Sequence, residues 1–123
     1  MTEKIGRVVG SLLGLTGVAL GAFGAHALRA RLAPELLNAF ETGVRYQIVH
    51  ALALLVVGLL QSRASHPLFG IAGWFFLTGV IVFSGSLYAY SLSGIRIWGM
   101  VTPLGRLFLL SGWLFLTFAA IKS

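Results

Sequence analysis

An all-α membrane protein, a four-transmembrane-helix bundle, is the fold class this chain predicts, and three observations predict it. Hydrophobic residues make up 58% of the 123 residues and charged ones 10%, whereas a soluble domain carries roughly 25% charged residues. Mean hydropathy is +0.94. Four apolar stretches follow one another, and crossing a bilayer as a helix takes ~20 residues. A single domain, 1–123, accounts for the chain.

The first span is expected at about 5–28. Its glycines include Gly6, Gly10 and Gly14 at a spacing of four, then Gly17, Gly21 and Ala25 at the same spacing. Small residues four apart share one helix face, where another backbone can approach closely. Gly10, Gly14, Gly17 and Gly21 are therefore the packing candidates, and helix one is expected at the centre of the bundle or at a subunit interface. The alternative is that the glycines line a substrate path. Lys4 and Arg7, an apolar run and Ala25-His26-Ala27 also fit a signal peptide. The segment is read here as a retained span.

Between spans one and two, Leu32, Leu36, Leu37 and Phe40 recur at helical spacing, with Arg29, Arg31, Glu35 and Asn38 among them. Pro34 and Glu35 suit a helix start. The expectation is a short amphipathic helix at about 33–41, lying in the interface like a lid. Span two, about 42–60, is entered through the polar run Glu41–His50. Span three is expected at about 68–92. Span four is expected at about 103–121, with Thr102 as cap and Pro103 at the first helical position.

The balance of +6 comes from nine Lys and Arg against three acids. The basic residues are scattered singly and form no stripe, so they read as membrane-flank anchors and not as a nucleic-acid surface. The lipid bilayer is the expected partner. The absence of cysteine excludes disulfides, thiol catalysis and Cys-ligated metals. No metal or cofactor is expected.

Four spans place the polar residues unevenly. His26 ends helix one; Tyr46, Gln47 and His50 lie early in helix two; Ser84, Ser86 and Tyr88 lie late in helix three; Thr102 begins helix four. All fall in the half of the membrane that holds the first and third loops. Polar groups at membrane depth are expensive and mark bracing contacts or a site. Glu41 and Arg45 are four apart, and Arg106 sits near the positive end of helix four, where a cation is disfavoured. A Glu41–Arg45–Arg106 charge link is the expectation. His50 either braces the bundle by an interhelical hydrogen bond or serves a ligand, and the serines either bond their own helix or face the cluster.

These residues carry a resemblance. Gly21-Ala22-Phe23-Gly24-Ala25-His26, Thr42-Gly43 with Tyr46, Gln47 and His50, Phe83-Ser84-Gly85-Ser86-Leu87-Tyr88, and Thr102-Pro103-Leu104-Gly105 followed by Gly112-Trp113 together resemble domain-of-unknown-function family 423. That family includes small bacterial inner-membrane proteins and is similar to the transmembrane-protein-256 group. The resemblance runs over essentially the whole chain and implies a four-span integral protein of the inner membrane, without implying an activity. Arg106 stands where the family pattern tends to have glycine, and position 45 is not reliably basic in it, so the charge link would be particular to this chain.

The leading functional expectation is a non-enzymatic protein that binds a lipid, small ligand or partner through the polar cluster and forms a homo-oligomer. A transporter or ion pathway is the alternative. It would have to couple through Glu41, since the only acids are Glu3, Glu35 and Glu41. A haem-binding subunit would use His26 and His50. A hydrolase would need an orienting acid, and Glu41 is the sole candidate. Lys4 and Arg7 flank helix one and favour cytoplasmic termini, although the basic residues are nearly balanced across the two faces.

Overall fold

The computed structural model describes residues 1–123. Helix α1 spans Glu3–Phe23 and runs on through one π-helical turn, Gly24–Leu28; α2 spans Pro34–Arg63, α3 Pro67–Ser93 and α4 Arg96–Lys122. All four are long and apolar enough to cross a membrane. Local signals set the ends. Thr2 Oγ1 accepts the Ile5 N–H, Pro34 and Pro67 open their helices, and His66 Nδ1 accepts the Leu68 N–H at 3.2 Å. Gly94 ends α3 in the left-handed region at φ 71°, the conformation that glycine adopts without a Cβ penalty.

The helices lie antiparallel in chain order: α1 packs on α2, α2 on α3, and α3 on α4. Half of the apolar stretch of α2 and of α3 is buried, against 17% in α1 and 22% in α4. Helix one is therefore an edge helix, which corrects its expected central place. Its glycine face is taken up by α2 within the same chain. A Cβ on Gly10 would stand 2.9 Å from the Ala51 carbonyl oxygen, and one on Gly17 2.8 Å from Ile48 Cγ1; one on Gly21 would touch Val44 at 3.3 Å, while Gly14 has only Ala51 Cβ at 4.0 Å. The seam between α3 and α4 is tighter. A Cβ on Gly105 would meet the Phe83 backbone, 2.6 Å from its Cα, and one on Gly112 would lie 2.6 Å from the Phe76 ring.

Two expected boundaries differ. The segment 33–41 is not a separate interfacial helix but the opening turns of α2. Nothing between Pro34 and Glu41 breaks the helix. Its apolar stripe is already covered, since Phe40 with Leu32 and Leu37 packs against Leu20, Leu28 and Tyr88. At 30 residues, α2 is ~45 Å long, so its ends extend beyond the ~30 Å hydrocarbon core. Helix α4 starts at Arg96, seven residues before Pro103, which lies inside it. Thr102 is thus not a cap. A proline in a helix removes one N–H, and here this leaves the Gly99 carbonyl without its usual donor.

The core joins the three later helices, with Leu54, Val57, Phe76, Val80, Phe83, Leu87 and Leu109 packed together. Large apolar side chains also cover the outside, among them Leu15, Leu52, Ile81, Leu107 and Ile121. An apolar surface of this extent suits a lipid solvent.

Candidate functional site

The glycines that let the helices close also bring the polar side chains together. Gly17 opens α1 toward Gln47, and Gly43 opens α2 toward Tyr88, whose ring would lie 2.8 Å from a Cβ there. Gln47 then ties three helices. Its amide nitrogen donates to the Leu13 carbonyl at 3.0 Å and to Thr16 Oγ1 at 2.8 Å. Its amide oxygen accepts the Tyr88 hydroxyl at 2.6 Å. Ser84 donates across the α2–α3 seam to the Gly43 carbonyl at 2.8 Å. Ser86 donates to the Phe83 carbonyl at 2.8 Å and contacts Thr102 Oγ1 at 2.7 Å, joining α3 to α4.

His50 closes the remaining gap, between α2 and α4. Nδ1 lies 2.7 Å from the Tyr46 carbonyl, and Trp113 Nε1 donates to Nε2 at 3.0 Å. A carbonyl can only accept and an indole N–H can only donate, so these partners fix the neutral tautomer with its proton on Nδ1. Both ring nitrogens are engaged, which leaves no lone pair for haem iron. No group of three or more potential metal-binding side chains is assembled anywhere in the chain. The imidazole is 4% exposed and packs among the rings of Tyr46, Phe76 and Trp113 at centroid distances of 5.6–6.0 Å.

Six of the eight expected cluster residues are therefore joined by interhelical hydrogen bonds: Gln47, His50, Ser84, Ser86, Tyr88 and Thr102. Gln47 and His50 face inward, and their partners are Leu13, Thr16, Tyr46, Tyr88 and Trp113. His26 is exposed on the π turn and stays apart. Tyr46 is 38% exposed and contributes its ring, which packs on Phe83 at 4.4 Å. Thr16 and Trp113 were missed as members of the cluster. Trp113 had a legible signal, because an indole N–H inside a span needs an acceptor.

The charge link does not form. Arg45 donates to Thr42 Oγ1 at 3.1 Å, and the Arg106 guanidinium lies 5.7 Å from the centroid of the Phe83 ring. Phe83 sets Arg106 level with Tyr46, ~7.5 Å deeper than Glu41 at 1.5 Å per residue. A cavity of about 380 Å³ is lined by Arg45, Tyr46, Val49 and His50, all on α2.

Residues 20–105 match the family described as "Protein of unknown function (DUF423)". The chain belongs to this family. It is 40% identical to the UPF0382 membrane protein YwdK of Bacillus subtilis over 97% of this chain and 98% of that one. It is 39% identical to a UPF0382 membrane protein of Staphylococcus haemolyticus over 97% of both. With the UPF0382 inner membrane protein YgdD of Escherichia coli K12 it shares 36% identity, over 99% of this chain and 93% of that one. No solved structure matches it. Four apolar helices and relatives named as membrane proteins make this a multi-pass integral membrane protein.

Proposed function

We propose that the chain is a non-enzymatic binding protein of the inner membrane, holding a lipid or small ligand at the groove beside Arg45, Tyr46, Val49 and His50 of α2. The observation that carries this reading is the division of labour among the polar residues. The buried ones are hydrogen-bonded to each other and to backbone carbonyls, and so hold the four helices in place. What they leave open is the groove beside Arg45, Tyr46, Val49 and His50, walled by a rigid frame. Support for a non-enzymatic role comes from the same bonds. The Ser84 and Ser86 hydroxyls donate to carbonyls and His50 has no free nitrogen, so no nucleophile faces a base. The glycine faces that suggested self-association pack within the chain, and a homo-oligomer would need other surfaces.

The test is mass spectrometry of the protein extracted in native membrane patches, beside a Val49→Trp variant that fills the groove. A co-purifying lipid or small molecule is expected with the wild type and is expected to be lost with the variant, at unchanged helicity and melting. Identical content in both proteins would defeat the proposal.

A further inference from the structure

We infer that the groove beside Arg45, Tyr46, Val49 and His50 of α2 is a binding site for an anionic phospholipid, its phosphate held by Arg45 and by Arg106 of the neighbouring α4. The inference rests on the proposed binding role and names the ligand. Its first support is depth. Arg45 lies ~16 Å along α2 from Pro34, and Arg106 ~15 Å along α4 from Arg96, at 1.5 Å per residue. Both belong to the half of the membrane that holds the first and third loops. Cations so placed are costly and take an anionic partner or reach the interface. The only acids in the chain are Glu3, Glu35 and Glu41, and neither arginine pairs with one. Arg45 is turned back along its helix to Thr42, toward the headgroups, where the available anion is a lipid phosphate.

The second support is convergence. Arg106 and Trp113 are seven residues apart and share a face of α4. Trp113 reaches His50, so that face looks at α2. Tyr46 from α2 and Arg106 from α4 meet over one ring, Phe83, at 4.4 and 5.7 Å. Phe83 itself is 1% exposed. The close approach of Gly105 to the Phe83 backbone brings α4 near enough for this. Tyr46 and Arg106 therefore stand beside one ring, next to the closed His50–Trp113 pair, and the groove itself is lined by Arg45, Tyr46, Val49 and His50. Val49 gives its lining an apolar side chain at 52% exposure. An acyl chain fits against that side chain. Two forked guanidiniums suit the oxygens of an anionic phosphate headgroup.

The experiment is native mass spectrometry of the full chain from micelles doped equally with phosphatidylglycerol and phosphatidylcholine. Phosphatidylglycerol adducts should dominate, and Arg45→Gln and Arg106→Gln should each weaken them about fivefold. Lys4→Gln, remote on α1, should leave them unchanged. Melting of each variant in detergent is followed in parallel. If Arg106→Gln fails to fold, Arg106→Lys, which keeps the charge, together with Arg45→Gln gives the answer. Equal adducts of the two lipids, or undiminished adducts in the Gln variants, would overturn the inference. A different molecule that is lost in Val49→Trp but kept in both Gln variants would overturn it while leaving the binding role intact.

Discussion

His50 shows how a single side chain can lock two helices that hardly touch. Its neutral ring accepts from Trp113 and donates within its own helix. Replacing His50 by Phe keeps the ring's place among the aromatics but leaves the indole N–H without an acceptor in an apolar surround. The expected loss is about 0.6–1.7 kcal/mol, the range of interhelical hydrogen bonds in membranes. It is measured by unfolding in mixed micelles. Combining His50→Phe with Trp113→Phe should cost less than the sum of the two, because each already removes the shared bond; strict additivity would mean the bond contributes nothing. Gln47 has the wider role, bonding from α2 to both α1 and α3. Gln47→Leu is expected to lower the melting temperature more than Ser84→Ala, which removes one bond. The reverse order would contradict Gln47 as the hub.

At the scale of elements, glycine positions decide how close the helices come. The four-residue spacing on α1 was legible, and it marks the face that meets α2. Spacing alone does not rank the sites, because rank depends on what stands opposite. A Cβ at Gly105 meets backbone, which cannot rotate away, whereas one at Gly14 meets almost nothing. Gly105→Ala should therefore sharply reduce folded yield and thermal stability, and Gly14→Ala should be neutral or slightly stabilising through helix propensity. Gly17→Leu should cost more than Leu12→Ala, since Leu12 is 54% exposed and lipid can replace its contacts. Comparable melting for all four variants would remove the close-packing account. The misplaced boundaries of α2 and α4 have different causes. Pro34 does open a helix, but its first turns run on into the span, whereas Pro103, an equally good opener by sequence, lies inside α4.

For the whole molecule, four antiparallel spans put both chain ends on one side of the membrane. Lys4 and Arg7 at the start of α1 favour the cytoplasmic side. A reporter active only in the cytoplasm, fused after Ser123, should be active, and its exported counterpart silent. The opposite pattern would reverse the orientation, and activity of both would mean mixed insertion.

Composition and hydropathy by themselves determined that the chain is a four-span membrane protein, because apolar length is a one-dimensional property that a bilayer reads directly. The alternation of spans likewise placed Gln47, His50, Ser84, Ser86, Tyr88 and Thr102 in one half, since up-and-down topology follows from short connections. Which of them touch was decided only by tertiary structure. Hydrogen bonds depend on helix rotation and on separations of a few ångströms, which here are set by what each glycine faces. The same holds for the charges. Sequence spacing offered Glu41 to Arg45 and Arg106, but the approach of Gly105 to Phe83 set Arg106 on an aromatic ring, away from the acid.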